Sequence, residues 1–454
     1  MNEVLGSLRG AVWGTPLILL LAGTGLYLTI LLRGLQFRRL PHALSLALFQ
    51  RDEPSGAGDI SHFQALMTAL GATVGTANIV GVAVALTAGG PGALFWMWVA
   101  GFVGMVTKYS EAVLGVRFRE TDPRGEQCGG PMYYLENGVR WGRLGRSLGL
   151  VFALFAAIAA FGVGNGLQSQ AIAEAVSNVI GLPRLGVGIV TAVVAGAVIL
   201  GGIRSIGRFA GAVIPVMLVG YIGVAVWVLI QHADAVPGAF GAIFEGAFRG
   251  TAAGGGVAGY TIGQALRGGF ARGLVSSESG LGTGGIAAAA ARTREPVRQA
   301  LISMTQTFID TIVVCTLTGL VLLTSGVWTS GAEGATLAQL AFSTSLPGSV
   351  GNWFIAISLT CFAFTTILGW AYYGERNIQY LAGSRAVVPY RLAFLAAIVL
   401  SSTVQWDVAW MVSEVMYVLM AFPNLIGLVV LSGIVVRETR SYFNRSPGQP
   451  SKRR

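Results

Sequence analysis

The sequence predicts an all-α polytopic membrane protein with about 11 transmembrane helices, in which two broken helices lead the halves of a five-plus-five inverted repeat. Three observations support this fold class. Hydrophobic residues make up 54% of the 454-residue chain and charged residues only 11%, whereas soluble domains carry about 25% charged residues. Apolar stretches long enough to cross a bilayer recur along the chain. Two of these stretches are interrupted by glycines and small polar residues.

The apolar stretches are about 20 residues long, which is the length that crosses a hydrocarbon core. They lie near residues 12–33, 64–88, 92–116, 150–178, 186–204, 209–231, 255–290, 298–325, 350–373, 386–404 and 408–436. The first has too long an apolar run for a cleaved signal peptide, so we expect it to remain as a helix. The other ten form two groups of five, each led by an interrupted stretch. This grouping predicts four parts: a peripheral transmembrane helix and cytoplasmic loop at 1–58, five-helix repeats at 59–238 and 239–437, and a basic cytoplasmic tail at 438–454.

The net charge is +10, and the distribution of Lys and Arg along the chain predicts the membrane topology. Basic clusters recur in every second loop, whereas residues 325–353 contain no Lys or Arg. Cytoplasmic loops of membrane proteins are enriched in these two residues. The pattern therefore predicts a multi-pass protein of the cell membrane (inner or plasma membrane) with its N-terminus outside and its C-terminus in the cytoplasm. It does not favour a nucleic-acid partner.

Other chemistries have little support in the sequence. The three cysteines are far apart without a CxxC spacing and the three histidines are isolated, so neither a disulfide framework nor a Cys or His metal site is expected. The run Gly280–Gly285 resembles a dinucleotide fingerprint, but no βαβ unit surrounds it. No Walker motif and no catalytic group set is present. We therefore expect no enzyme activity, no bound cofactor and no use of ATP.

The two interrupted stretches predict the functional site. They read GATVGTANIVG at 71–81 and GLVSSESGLGTGG at 273–285. Non-helical backbone is tolerated at membrane depth only where it is buried in protein or lines a cavity. The unpaired N–H groups of a helix break favour anions, and its carbonyl oxygens can bind hard cations. Breaks at corresponding positions of two halves therefore predict a secondary transporter with a binding site near the bilayer midplane.

The same segments resemble a known family. The stretch GATVGTANIVGVAVALTAGGPGALFWMW at 71–98 is similar to the signature of the alanine/glycine:cation symporters, the sodium:alanine symporters. The resemblance continues through KYSE at 108–111, CGGPMYYLENG at 128–138 and LRGGFARGLVSSESGLGTGG at 266–285, and it covers most of the chain from about residue 59 to residue 434. It implies a LeuT-type fold with a sodium-coupled site at the broken helices.

The resemblance and the residue types together indicate which groups would bind an amino acid. Backbone N–H groups at the first break, with a threonine hydroxyl, would donate to its carboxylate. The expected substrate-binding residues are Gly75, Thr76, Ala77, Asn78, Gln168, Gln170, Ser276, Ser277, Thr366 and Trp370. Gln170 is the first choice for a side chain that reaches the substrate, although amides in membrane helices equally often join helices. Ala77 stands where the family commonly has glycine, and Trp370 would close the pocket over a small side chain.

The resemblance also places a sodium ion between carbonyl groups of the first break and hydroxyls of the ninth stretch. Hard cations prefer such oxygen ligands. The expected sodium ligands are Gly71, Val74, Phe362, Thr365 and Thr366. Thr73 and Asn78 are expected to line a second cation site beside the substrate. A threonine in a membrane helix often bonds back to its own helix instead, and a proton is the alternative coupling ion.

Acidic side chains inside apolar stretches are functional candidates by default. Asp310 lies in the eighth stretch, Glu174 in the fourth and Glu278 in the second break. We expect Glu278 to order the unwound segment, and Asp310 either to pair with a buried donor or to carry a proton. Lys108 and Glu111, one turn apart, are expected to pair with each other.

These observations predict a secondary active transporter that couples uptake of a small neutral amino acid, such as alanine, glycine or serine, to a sodium or proton gradient by alternating access. Its partners are then the amino acid, the coupling ion and the lipid bilayer. A channel, or another membrane protein with glycine-rich re-entrant segments, is the alternative, although channels usually arrange symmetric subunits around a filter. An intramembrane enzyme would need the catalytic group set that the sequence lacks.

Overall fold

The computed structural model describes residues 14–49, 56–249, 261–404 and 407–444. These residues are predominantly helical, and the regular sheet among them is one two-stranded hairpin. The start of the predicted seventh stretch, at 255–260, and most of the predicted basic tail, at 445–454, lie outside the described residues.

The first half of the chain contains helices α1 to α12. Their bounds are α1 Thr15–Leu31, α2 Leu35–Arg38, α3 Leu40–Phe49, α4 His62–Thr73, α5 Val80–Gly89, α6 Gly92–Arg117, α7 Pro131–Gly138, α8 Arg143–Ala159, α9 Leu167–Ile180, α10 Arg184–Ile199, α11 Gly202–Gln231 and α12 Val236–Phe248. Strands β1 (Glu120–Thr121) and β2 (Gln127–Cys128) form an antiparallel hairpin in which Glu120 lies opposite Cys128.

The second half contains helices α13 to α22. Their bounds are α13 Ile262–Ser277, α14 Thr283–Ala289, α15 Pro296–Thr307, α16 Thr316–Thr324, α17 Gly334–Ser343, α18 Val350–Ala382, α19 Val387–Thr403, α20 Asp407–Leu419, α21 Ala421–Val430 and α22 Ser432–Phe443. Short 3₁₀ turns occur at Thr76–Asn78, Ala233–Ala235, Val327–Thr329 and Ser384–Ala386.

The helices confirm a multi-pass membrane fold. By length and composition, seven helical segments among the described residues can cross a membrane: Gly92–Arg117, Arg143–Ile180, Gly202–Gln231, Pro296–Thr324, Val350–Ala382, Ser384–Thr403 and Val408–Val430. Shorter apolar helices lie at Pro16–Leu31, Leu40–Phe49, Val80–Gly89 and Arg184–Ile199. Each predicted stretch overlaps at least one helix, and the last overlaps α20, α21 and the start of α22.

Both predicted helix breaks are present. Helix α4 ends at Thr73, and Gly75 adopts an extended conformation before the 3₁₀ turn that leads into α5. Between α13 and α14, Glu278, Gly280 and Gly282 have positive φ angles of 52°, 90° and 89°. Glycine adopts such angles without steric cost, so the two glycines suit the second break.

Two further helices contain π-helical segments that the sequence analysis did not predict. Residues Ala160–Gly166 join α8 to α9, and residues Phe308–Cys315 join α15 to α16. Segments of this kind are frequent at functional sites. The second one contains the buried Asp310.

Two helix boundaries differ from those expected from hydropathy. Helix α8 begins at Arg143, before the apolar stretch at 150, and α18 continues to Ala382, beyond residue 373. In α18 the added turns bury Glu375 and Arg376. Because these side chains have charged partners in the folded protein, the helix continues where hydropathy alone predicts an end.

Helix α6 forms the centre of the bundle and packs against both halves of the second broken helix and against α15. Close approach depends on glycine here. A Cβ atom at Gly269 would lie 2.0 Å from the carbonyl oxygen of Ala93, and one at Gly115 would lie 2.4 Å from the carbonyl oxygen of Gly285. Small residues of this kind let membrane helices pack backbone to backbone.

Candidate functional site

A cavity of about 530 Å³ lies between the first break, the second break, the π-helical segment before α9, and helices α18 and α20. It brings together many of the predicted substrate-binding residues. Those that line it are Gly75, Thr76, Ala77, Gln168, Gln170, Thr366 and Trp370. The cavity reaches the surface beside Glu333 and Thr336, whose side chains are exposed.

Glu174 also lines this cavity, with an exposed side chain. The sequence analysis singled it out as an acid inside an apolar stretch, and the structure places it at the cavity. Arg272 and Glu414 also line the cavity. Its lining therefore includes side chains of both charge signs.

Some backbone N–H groups of the first break have acceptors within the protein and others do not. The N–H of Gly75 donates to Asn78 Oδ1 over 2.9 Å, and the N–H of Asn78 donates to the Gly75 carbonyl over 3.2 Å. Neither the N–H of Thr76 nor that of Ala77 has an acceptor among the described residues. Two of the four predicted donors are therefore occupied internally, and two remain for a ligand at the cavity wall.

Three predicted substrate-binding residues, Asn78, Ser276 and Ser277, do not line the cavity but lie behind it. Asn78 Nδ2 donates to Asp310 Oδ1 over 2.8 Å and to Ser276 Oγ over 3.1 Å. The Ser277 hydroxyl donates to the carbonyl of Gly273 over 3.0 Å. The structure thus gives these side chains partners within the protein.

Asp310 is the acceptor that connects the two breaks. Besides Asn78, its carboxylate accepts hydrogen bonds from Ser276 Oγ (2.7 Å) and Thr311 Oγ1 (2.9 Å). It is fully buried. Among the described residues, no Lys, Arg or His nitrogen lies within the 4.0 Å that defines an ion pair with it. The sequence analysis singled out Asp310 but could not identify these partners.

Gln306, one turn before Asp310, provides a second link that the sequence analysis missed. Its side-chain Nε2 donates to Thr73 Oγ1 over 2.9 Å and to the carbonyl of Ser277 over 3.2 Å. It is fully buried. A buried amide in an apolar stretch was the available signal, because such a group requires partners.

Four of the five predicted sodium ligands lie together between α4 and α18. Thr366 Oγ1 donates to the carbonyls of Gly71 (3.1 Å) and Phe362 (3.0 Å), and Thr365 Oγ1 donates to the Phe362 carbonyl over 3.0 Å. Val74 follows the end of α4 and is buried. The hydroxyls therefore bond back to their own helix, as threonines often do, while one of them also reaches the first broken helix.

Trp370 lines the cavity and is hydrogen-bonded to the second break. Its indole Nε1 donates to Glu278 Oε1 over 2.8 Å, and Thr283 Oγ1 donates to Glu278 Oε2 over 2.7 Å. Glu278 itself lines the cavity. Its two hydrogen bonds join α18 to the start of α14 across the unwound segment.

Lys108 and Glu111 were expected to pair with each other, but each of them binds the second break. Lys108 Nζ donates to the carbonyl of Glu278 over 3.2 Å. Glu111 Oε1 accepts hydrogen bonds of 3.0 Å from the N–H groups of both Gly280 and Gly282. The positive side chain thus donates to a carbonyl of the second break, which also accepts a long 3.4 Å hydrogen bond from the Leu281 N–H, and the negative one accepts from two N–H groups of that break.

A network of charged side chains lies on the protein face where the β1–β2 hairpin packs. The fully buried guanidinium of Arg376 donates to Glu126 over 2.5 Å and to Gln379 Oε1 over 2.8 Å. Gln379 Nε2 in turn donates to Asp122 over 2.7 Å. Burial alone would raise the pKa of Asp122, but hydrogen bonds from Glu126, Gln379 and Arg124 outweigh it and lower that pKa from its usual value. Asp122 therefore remains ionised in this network.

Arg119 closes the same face by a different set of contacts. Its guanidinium donates to the carbonyls of Ala57, Ala289, Ala291 and Thr293 over 2.7–3.0 Å. These carbonyls belong to the segment that precedes α4, to the last residue of α14 and to the residues that follow it. Hydrogen bonds from one arginine therefore link the two broken helices on this face.

Comparisons with known proteins agree with this architecture. The chain matches the sodium:alanine symporter family over residues 1–453. It is 46% identical over 444 residues to the sodium/alanine symporter AgcS of Methanococcus maripaludis, with 97% of each chain covered. It is also 46% identical over 449 residues to an uncharacterized transporter of Haemophilus influenzae, covering 98% of this chain and 97% of the relative.

A solved structure shows the same fold. The crystal structure of MhsT in complex with L-phenylalanine matches with a TM-score of 0.56 at 12% sequence identity, covering 84% of this chain and 97% of that one. At this identity the likeness concerns the fold alone. The whole-chain family match and the 46% identical relatives show that this chain belongs to the sodium:alanine symporter family.

Proposed function

We propose that this protein is a secondary active transporter that couples uptake of a small neutral amino acid, such as alanine, glycine or serine, to a sodium gradient by alternating access. One observation carries the proposal. A cavity reaches both helix breaks and opens beside Glu333, while farther along α18, beyond Trp370, the buried Arg376 makes ionic contacts. A transporter needs a site with one open and one closed side.

The first break supplies the donors for the substrate carboxylate. The N–H groups of Thr76 and Ala77 lack internal acceptors and lie at the cavity wall. They also lie at the N-terminal end of the segment leading into α5, where the helix dipole favours negative charge. The Thr76 hydroxyl adds a third donor. The methyl group of Ala77 occupies part of the same wall and favours a small substrate.

The sodium ion fits the oxygen atoms between α4 and α18. The carbonyls of Gly71 and Phe362 both lie within hydrogen-bond distance of the Thr366 hydroxyl. A sodium ion entering this group would use the carbonyl oxygens and the hydroxyl lone pairs directly, with Thr365 and Val74 completing the set. This arrangement would make sodium binding depend on the position of α4 relative to α18.

A second cation is proposed beside Asn78, in agreement with the expectation for Asn78 and Thr73. The structure supports adding Asp310 and Ser276 to this site, because both bind Asn78 directly or through one another. A buried carboxylate without a basic partner is costly and favours a cation nearby. A proton on Asp310 is the alternative.

We propose that the open face of the cavity is the outer one. The exposed residues at its mouth, Glu333 and Thr336, belong to the segment without Lys or Arg. The closed face carries the basic clusters that mark the cytoplasmic side. This orientation places the N-terminus outside and the C-terminus in the cytoplasm, and the two repeats at 59–238 and 239–437 would rearrange during transport.

The test is uptake of radiolabelled alanine into proteoliposomes under a sodium gradient, a pH gradient or neither. We expect saturable, sodium-driven accumulation that a negative interior potential accelerates, because a zwitterion and a cation together carry net positive charge. Uptake that ignores both ion gradients would contradict coupling. Flux that does not saturate and does not accumulate substrate would support a channel.

A further inference from the structure

Gln168 carries a buried acceptor at the cavity. Its side chain lines the cavity wall and is only 5% exposed. Its Nε2 donates to the carbonyl of Val163 over 3.3 Å, which holds the amide in place. Its Oε1 atom is buried and accepts no hydrogen bond within the part of the chain that the structure describes. A buried oxygen without a donor is costly, so it indicates a place that a ligand fills.

This oxygen lies beside the first break. A Cβ atom placed on Gly75 would be 3.7 Å from Gln168 Oε1 and 2.7 Å from Thr366 Oγ1. Gly75 immediately precedes the two N–H groups proposed to bind the substrate carboxylate. An amino acid held there has its α-ammonium group a few ångströms from its carboxylate, within the reach of an acceptor at this position.

Glu278 places a carboxyl group at the same cavity. Its carboxylate accepts one hydrogen bond from Trp370 and one from Thr283. A carboxylate offers about four lone-pair sites, so acceptor capacity remains. Lys108 Nζ contacts the main-chain oxygen of Glu278, but no Lys, Arg or His nitrogen of the described chain lies within 4.0 Å of its carboxylate.

Packing holds both acceptors in position. The π-helical segment that precedes Gln168 packs on Trp370, since a Cβ atom at Gly164 would lie 2.3 Å from Trp370 Cβ. Trp370 in turn binds the Glu278 carboxylate. Trp370 therefore lies against the segment that precedes Gln168 and binds Glu278 of the second break.

From this geometry we propose that Gln168 and Glu278 are the receptor for the α-ammonium group of the substrate and make the site reject organic acids that lack this group. The inference rests on the proposed amino-acid transport. An ammonium group has three donors and a positive charge. Gln168 would accept one hydrogen bond, and Glu278 would supply the charge-assisted interaction, which is the stronger of the two.

A purely structural role accounts less well for Gln168. In an amide that joins helices, the polar atoms find hydrogen-bond partners on a neighbouring helix. Asn165 is an example, because its Nδ2 donates to the Phe394 carbonyl. Gln168 Oε1 has no donor among the described residues and lies beside Gly75 at the cavity instead. The two roles also predict different effects on stability, which makes them separable.

The test compares Gln168→Leu and Glu278→Gln with wild type in sodium-dependent binding of radiolabelled alanine to the purified protein. The competitors are unlabelled alanine and lactate, in which a hydroxyl replaces the ammonium group. We expect each variant to bind alanine about tenfold more weakly or worse. We expect lactate affinity to change little, so that the preference for alanine over lactate falls. Ser169→Ala is the matched control, because the Ser169 hydroxyl donates to Asn165 and does not line the cavity.

Thermal unfolding provides the second readout. Gln168→Leu removes an acceptor that has no donor among the described residues together with the long 3.3 Å hydrogen bond to the Val163 carbonyl, so the unfolding temperature should change little, whereas loss of an amide that joins helices through both of its polar atoms would lower it clearly. The inference would be overturned if Gln168→Leu binds alanine as tightly as wild type does, or if it loses affinity for alanine and lactate equally. Either result is decisive even if Glu278→Gln fails to fold. Wild-type protein that binds alanine without any need for sodium would contradict symport but not the ammonium receptor. Wild-type protein that binds lactate as tightly as alanine would contradict the receptor alone.

Discussion

Asn78 Nδ2 donates a hydrogen bond of 2.8 Å to Asp310 Oδ1, although 232 positions separate the two residues in sequence. Asn78 also accepts the N–H of Gly75 in the first break, and Asp310 also accepts the hydroxyl of Ser276 in the second. One buried carboxylate therefore links the geometry of both breaks. A rearrangement at either break changes the surroundings of the other.

Asn78→Ala should abolish transport while the protein remains inserted and folded. The substitution leaves the Gly75 N–H without its acceptor and removes a donor from Asp310, at a cost of about 1–3 kcal/mol for each unsatisfied group. The unfolding temperature should fall by a few degrees. Alanine uptake in proteoliposomes and a thermal-shift assay measure the two effects. Wild-type uptake by well-folded Asn78→Ala protein would show that the bridge is dispensable.

Asp310→Asn should weaken binding of the coupling cation while keeping the positions of Asn78 and Ser276, which donate to Asp310. The charge is lost, but the amide oxygen can still accept from Asn78 or Ser276. We expect the sodium concentration for half-maximal uptake to rise about tenfold, as loss of one charge-assisted ligand predicts. Thr311→Ala, which removes only one neutral donor to Asp310, is the control. If Asp310 instead carries a proton, uptake by the Asp310→Asn variant would no longer depend on a pH gradient but would still depend on sodium.

Trp370→Ala should enlarge the pocket and weaken alanine binding. Loss of indole contact removes about 1–3 kcal/mol of apolar burial, which corresponds to roughly tenfold to a hundredfold in affinity. Longer amino acids should then compete more effectively with labelled alanine. Trp370→Phe keeps most of the ring surface but lacks the donor to Glu278, so it separates pocket size from that hydrogen bond. An identical order of inhibitors in wild type and Trp370→Ala would remove the indole from the pocket.

Glu126→Gln should loosen the closed face and expose Cys128. Cys128 is 2% exposed, and Arg376 Nη1 donates to its sulfur over 3.1 Å. Burial raises the pKa of the Cys128 thiol despite the neighbouring Arg376 charge, so wild-type protein should react slowly with maleimide. The variant weakens the Arg376 contact but keeps the guanidinium beside the thiol. Labelling of Cys128, followed by mass spectrometry, should become several-fold faster.

Glu438→Gln is the matched control for this measurement. It removes a carboxylate from the partly exposed pair with Arg117 near the same face, where an ion pair contributes little. The rate of Cys128 labelling should stay at the wild-type value. An equal increase in both variants would mean that general loss of charge, rather than opening of the Arg376 network, exposes the thiol.

Much of the architecture could be predicted because it depends on local sequence. Bilayer thickness sets the length of each apolar stretch, and glycines with small polar residues mark where a helix can be interrupted. Gly75 and Trp370 were accordingly expected at the site, and the structure places both at one cavity. Asp310 was singled out as a buried acid on the same local grounds, and only its partners were missing.

The sequence by itself determined the membrane class, the approximate spans and the two breaks, since each follows from residue types within a short window. Only the tertiary structure decided which groups meet at those breaks. The partners of Asp310, the free oxygen of Gln168 and the separate contacts of Lys108 and Glu111 depend on how helices far apart in sequence rotate and approach one another. Hydropathy does not specify that rotation inside a membrane, because lipid and protein interior are similarly apolar, so packing and hydrogen bonding set it.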